Sequence, residues 1–288
     1  MKYFTTLAFI SACLFSFGQS NMFWNSYSNF NPAMSGFQYE QHAALTYTDN
    51  YPSLAGNYSD INGNVNSRIA NHHGVGINYT GYFSPDLSSN KVLANYNYQI
   101  DLDKAGKLAI GTGVGYGHYD VTAPYLTTPT SQEKSSSFQL NLGAAYKWKN
   151  IIVGFSGTNL TPPKGPIVSF AVPRSKLNLH AQYNARIAEK FQLTPRVLYT
   201  YQDGFHEIQP NLTLTYLDKF SIGVSSQLRD NFGVNVGWDI LNKLRVAYNY
   251  SQTISKLNNA MSGGIHEFAI GYILKSKKAV KLGGTPNF

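Results

Sequence analysis

The 288-residue chain is 43% hydrophobic and 14% aromatic but only 13% charged, about half the charge fraction of an average soluble protein. Its polarity is carried by Tyr, Asn, Gly, Ser and Thr, which suits strands better than helices. The formal net charge is +8, but the cations are scattered rather than blocked, so nucleic-acid binding is not indicated.

Residues 1–18 hold one cation, Lys2, an apolar stretch from Tyr3 to Phe17, and small residues at Ser16 and Gly18. This pattern predicts a signal peptide cleaved between Gly18 and Gln19. An alternative is lipoprotein processing at Cys13, after Ile10-Ser11-Ala12, but the apolar stretch preceding it would be unusually short. Cleavage at Gly18 leaves a mature chain without cysteine, so neither disulfides nor thiol chemistry is expected. Beyond residue 18 no apolar run reaches the roughly 18 residues of a membrane helix.

Period-two alternation dominates the remainder. From Lys176 to Ile187 one side reads Leu177, Leu179, Ala181, Tyr183, Ala185 and Ile187, and the other Lys176, Asn178, His180, Gln182, Asn184 and Arg186. The same sorting recurs at Val92–Asp101 and Lys243–Tyr250. One apolar and one wet face per strand is the expected result.

About fourteen such segments are predicted, beginning near Gln41, Tyr58, His73, Lys91, Lys107, Ser137, Asn150, Lys176, Lys190, Glu207, Lys219, Asn231, Lys243 and Gly264. Short connections such as Lys149-Asn150, Ala188-Glu189 and Leu217-Asp218 alternate with long ones at Tyr119–Ser136, Thr158–Ser175 and Gln252–Gly263. The connection around Asp230 is the one exception foreseen. Aromatic residues gather at strand ends: Tyr146, Trp148, Phe191, Tyr216, Phe220 and Trp238 beside the short turns, and Tyr199, Tyr201, Tyr248 and Tyr250 at the opposite ends.

These features predict an all-β fold, a transmembrane antiparallel up-and-down barrel of the outer membrane covering residues 19–274, in contact with lipid. A basic tail would follow at 275–288. Lipid satisfies no backbone polar group, so a closed barrel is what a β chain can form there. A soluble sandwich would also alternate, but its outward faces should be charged.

No catalytic constellation emerges, and an enzyme is not expected. The glycines of Gly111-Thr112-Gly113-Val114-Gly115-Tyr116-Gly117 recur within a strand with no helix following, so they do not form a phosphate loop. Ala109, Gly111, Gly113, Gly115 and Gly117 are predicted to face the lumen, making room for a plug, a loop or close packing. His72-His73 and His118 with Asp120 are assigned to opposite rims, where they cannot share a metal ion. Asp101, Glu207, Asp239 and Glu267, with Arg186, Arg196, Arg229 and Arg245, are read as lumen ion pairs. No cofactor is expected.

Two segments carry more than generic barrel character. Asn31-Pro32-Ala33-Met34-Ser35-Gly36 and Gly263-Gly264-Ile265-His266-Glu267-Phe268, followed by Ile270 and Tyr272, stand near the two ends of the barrel. Between them lie Tyr96-Asn97-Tyr98, the Gly-rich strand, and Val153-Gly154-Phe155-Ser156 leading to Asn159-Leu160. In this order they resemble the PorP/SprF family of type IX secretion system membrane proteins. The basic tail past the last strand is a departure.

The resemblance implies a role in type IX secretion of Bacteroidota, supporting export or surface retention of a partner such as a large adhesin used in gliding or attachment, alongside other components of that system. Asn31, Pro32, Ala33, Gly36, His266 and Glu267 become candidate partner-contact or family-motif positions. Their simpler reading is a turn entering the first strand and a hydrogen bond at a strand end. The competing function is a passive channel for small polar solutes, lined by Arg186, Gln182, Asn178, Arg245 and Asn249.

Overall fold

The computed structural model describes residues 20–54, 57–102, 106–123, 131–164, 175–241, 243–254 and 263–274. The predicted signal peptide, its cleavage point and the basic tail lie outside the described residues. The strands are β1 (Gln41–Asn50), β2 (Tyr58–Ala70), β3 (His73–Phe83), β4 (Leu87–Asp101), β5 (Gly106–Ala123), β6 (Ser131–Trp148), β7 (Ile151–Thr158) and β8 (Lys176–Tyr183). They continue with β9 (Ala185–Ala188), β10 (Phe191–Gln202), β11 (Phe205–Tyr216), β12 (Phe220–Gln227), β13 (Asn231–Ile240), β14 (Leu244–Thr253) and β15 (Ile265–Leu274).

Apart from β8 and β9, which do not pair with each other, the strands pair antiparallel with their sequence neighbours, and β1 pairs with both β2 and β15. The last ladder, Gln41↔Leu274 to Asn50↔Ile265, closes the sheet on itself. Both β8 and β9 pair with β10 and together form one interrupted strand, so the protein is a fourteen-stranded barrel. Closure leaves no open edge, as an apolar surrounding demands.

The faces sort as the alternation predicts. Leu179 is 52% exposed and Val236 49%, whereas Asn178, His180 and Asn249 are at 0%. The wall is therefore apolar outside and amide-lined within, which is inconsistent with a soluble sandwich. An interfacial band is visible where Phe191, Tyr216, Phe220 and Trp238 stand in register across four consecutive strands. The Phe220 and Trp238 rings stack at 5.9 Å. Rings of this kind favour the membrane–water interface. The short turns beside them mark the periplasmic end by the general rule for such barrels.

Several details differ from the sequence reading. The strand Lys176–Ile187 is interrupted at Asn184, but its register with β10 runs on unchanged from Arg196↔Gln182 to Gln192↔Arg186 and shifts only beyond it, where Ile187 bulges between Arg186 and Ala188. Arg186, opposite the inward Gln192, stands at the periplasmic rim of the wall and binds Asp218 there through two 3.0 Å hydrogen bonds. Strands β4 and β6 start earlier than expected. The presumed loop Tyr119–Ser136 is largely ladder, because pairing between β5 and β6 continues to Ala123↔Ser131. At the outer end, tight turns occur not only at Leu228–Asp230 but also at Ser84–Asp86 and at Asp203-Gly204. The last has φ values of 49° and 85°, the left-handed pair that a two-residue hairpin requires.

Candidate functional site: a lumenal strap

The N-terminal segment Ser20–Phe37 runs inside the barrel. It contains three single-turn 3-10 helices, Phe23–Asn25, Tyr27–Asn29 and Pro32–Met34. Its apolar side chains pack inward: Met22 is 1% exposed, Ala33 0% and Phe37 1%. Burial of each large side chain contributes about 1.5–3 kcal/mol. Phe23, Tyr27 and Phe30 meet edge to face and form, with Ala109, Ala145, Ile152 and Leu198 of the wall, the apolar core of the lumen.

The chain enters the lumen high and leaves it low. At the outer end of β15, Glu267 accepts hydrogen bonds from Ser20 Oγ (2.6 Å), the Asn21 backbone amide (2.8 Å) and Asn249 Nδ2 (2.7 Å). At mid-height Asn25 Nδ2 donates to Thr46 Oγ1, and Asn66 Nδ2 to Ser28 Oγ. At the periplasmic end Arg68 Nε and Gln99 Nε2 both donate to the Gly36 carbonyl at 3.2 Å. The strap thus spans the lumen before the chain turns into β1.

Asn31-Pro32-Ala33-Met34-Ser35-Gly36 is the centre of this arrangement. Asn31 caps the last helical turn, accepting from the Ala33 amide at 3.1 Å, and Pro32 occupies a first-turn position where no amide proton is needed. Its Nδ2 donates to the Ala144 carbonyl and lies 3.1 Å from His180 Nε2. Asn97 Nδ2 donates to the Ser35 carbonyl. Gly36 has φ +64°, and a Cβ there would lie 2.7 Å from the Ser67 backbone, so only glycine fits.

The Gly-rich strand supplies the matching hollow. A Cβ on Gly111 would stand 2.6 Å from the Ala33 amide nitrogen, and one on Gly143 3.1 Å from Pro32 Cδ. Of the alternatives raised by the sequence, Gly111 makes room for a plug formed by the chain's own N-terminal segment, whereas Gly113, Gly115 and Gly117 allow close packing against Asn95, Val92 and Tyr119 of the wall. The turn expected at Asn31–Gly36 is present, and it is buried inside the lumen against residues of β2 to β8.

His266 and Glu267 separate onto opposite faces. Glu267 points inward to the strap, while His266 lies on the outer face, its Nδ1 2.8 Å from the Tyr248 hydroxyl and its ring against Tyr250. The two motifs at opposite ends of the sequence thus meet on one strap through Glu267. Sequence reasoning missed Ser20, Asn21 and His180 as its anchors, although the apolar, uncharged run Met22–Phe37 was a usable signal.

The lumen charges divide. Arg245 forms a bidentate pair with Asp239, with bonds of 2.6 and 2.5 Å. Arg196 instead bonds Gln182, Asn211 and Thr213 and lies 5.3 Å over the Trp24 ring of the strap. Arg229 sits in the exposed outer turn. Where the strap leaves the lumen, burial pushes the Tyr39 phenol above its usual range, against the opposing pull of Arg245, and keeps it protonated. His72 and His118 stand at opposite ends of the barrel.

The sequence matches the family described as type IX secretion system membrane protein PorP/SprF over residues 17–272. The chain belongs to the PorP/SprF family. Its membership establishes it as a membrane component of the type IX secretion system, and the barrel places it in the outer membrane. No curated protein matches the sequence. Among solved structures, a FadL homologue of Pseudomonas aeruginosa shares 12% identity at a TM-score of 0.51, covering 84% of this chain and 92% of that one. Omp33 of Acinetobacter baumannii shares 10% at 0.52, covering 82% and 99%. The toluene transporter TbuX of Ralstonia pickettii shares 9% at 0.52, covering 84% and 91%. These likenesses concern the barrel fold; the secretion role comes from the PorP/SprF match.

Proposed function

We propose that the barrel holds a secreted polypeptide, such as a large adhesin used in gliding or attachment, at the outer face of the membrane, supporting its export or retention together with other type IX components. On this reading it binds protein and catalyses nothing. The supporting observation is a raised platform at the outer rim.

Strands β5 and β6 have 18 residues each, well beyond the roughly 10 that a tilted spanning strand needs, so their hairpin rises above the membrane. The segment after β7 is fastened along it: Leu160 N donates to the Leu140 carbonyl (3.0 Å), Thr161 Oγ1 to the Phe138 carbonyl (2.6 Å), and Asn159 N to Asn141 Oδ1 (3.0 Å). Recognition residues on a rigid support lose little freedom on binding.

Replacing both Tyr119–Ser136 and Thr158–Ser175 by short turns should abolish co-purification of the secreted partner while the barrel still inserts. Undiminished co-purification would sink the reading. The competing channel for small polar solutes requires the strap to leave the lumen. Steady open pores from the intact protein in planar bilayers would favour it, whereas silence together with a co-purifying partner favours secretion.

A further inference from the structure

Above the strap, between Met22, Phe23 and Phe30 and the outer ends of the strands, lies a cavity of about 160 Å³. A single water needs roughly 10–15 Å³ of such space, so the cavity admits a small group rather than a folded domain. Its floor is the upper side of the strap, where the apolar Met22, Phe23 and Phe30 stand among Ser20, Ser26 and Asn29. Its wall carries Lys91 of β4 and Lys176 of β8, together with Asp60 of β2.

Both lysines are half-buried, on the inward face of their strands. Neither ammonium makes an ion pair or hydrogen bond among the described residues; the five ion pairs found there use other cations. The two charges repel each other, and both feel Asp60, whose carboxylate accepts from Asn50 Nδ2 at 3.0 Å. Glu207 also acts on Lys176 and accepts from Gln209 Nε2. The nearby carboxylates thus have amide donors of their own, while two ammonium groups on non-adjacent strands share one cavity without a direct partner. Holding unpaired charges partly out of water is costly, and a single carboxylate placed between them would relieve both their repulsion and their missing contacts.

We propose that this vestibule is a carboxylate-binding site, in which Lys91 and Lys176 grip the acid group and the apolar side chains of the floor take the adjoining side chain, the occupant being the free carboxyl end of a polypeptide. The choice of a polypeptide end rests on the secretion reading; the carboxylate chemistry does not. Access from the outer end fits an occupant presented at the rim platform, since Asn141 and Asn159, which fasten that platform, also line the cavity.

The test is calorimetric titration of the intact mature barrel in detergent with three probes: the N-acetylated tetrapeptide Gly-Ser-Leu-Phe with a free carboxylate, the same peptide as its C-terminal amide, and hexanoate. The free acid should bind at least about tenfold more tightly than the amide, the effect of one charge-assisted contact. K91Q/K176Q should erase that preference and K91R/K176R retain it, with all variants keeping the heat-modifiable mobility of a closed barrel. Equal binding of acid and amide, or a preference that survives K91Q/K176Q, overturns the site. Binding of hexanoate without the peptide supports the carboxylate chemistry but overturns the polypeptide end as occupant. Partner co-purification from cells is read separately, so its failure refutes the secretion role and not the site.

Discussion

The Asn31 amide and the His180 ring, 149 residues apart in sequence, meet at 3.1 Å inside the barrel, both fully buried. One Asn31 side chain therefore caps a helical turn through its oxygen and pins the strap to the far wall through its nitrogen. Neither partner can reach water if the other is removed.

Asn31→Ala should loosen the strap more than the barrel. It removes the cap and leaves the Ala144 carbonyl and His180 short of a donor, a loss of about 1–3 kcal/mol. A cysteine introduced in place of Met34 should then react with a maleimide faster in the Asn31→Ala background than in the otherwise native one. Equal rates would show that Asn31 does not hold the segment.

Enlarging the hollow side of the lumen should expel the strap. In Gly111→Val the added atoms fall where the Ala33 backbone lies, and backbone cannot give way as a flexible side chain can. The native barrel is expected to be silent in planar bilayers and the variant to conduct. A silent Gly111→Val barrel that still folds would mean that strap displacement does not open a path.

The neighbours His266 and Glu267 should behave differently. Glu267→Ala removes the three hydrogen bonds that its carboxyl group accepts from Ser20, Asn21 and Asn249, so amide exchange at Asn21–Asn25 should accelerate by at least about tenfold. His266→Ala loses a contact with Tyr248 on the outer face and should leave those amides unchanged. Comparable acceleration in both variants would contradict the division of faces.

Two arginine–carboxylate pairs provide a second contrast. Arg245→Met strands the Asp239 carboxylate, whose side chain is 5% exposed, and should cost about 3 kcal/mol or more in refolding equilibria. Arg186→Met breaks a pair exposed to 37% on both sides, which solvent screens, so a loss below about 1 kcal/mol is expected. Similar losses would show that burial does not set the strength of these pairs.

Strand character, face assignment, the aromatic bands and the barrel class were legible in the chain because each depends on residues two apart along a strand, a relation fixed by backbone geometry alone. The spacing of Leu177 and Leu179 already separates lipid from lumen. The bulge at Ile187 and the height of the β5–β6 hairpin were not legible, since both are settled by register with neighbouring strands. The strap was half visible. The sequence shows glycines that make room and an uncharged N-terminal run, but which part of the chain fills the room is decided only when Gly111, Gly143, His180 and Glu267 are brought round one lumen. Period two needs only the local pleat, whereas a plug needs shape and hydrogen-bond complementarity between a short segment and strands far away in sequence, and that exists only once the cylinder has closed.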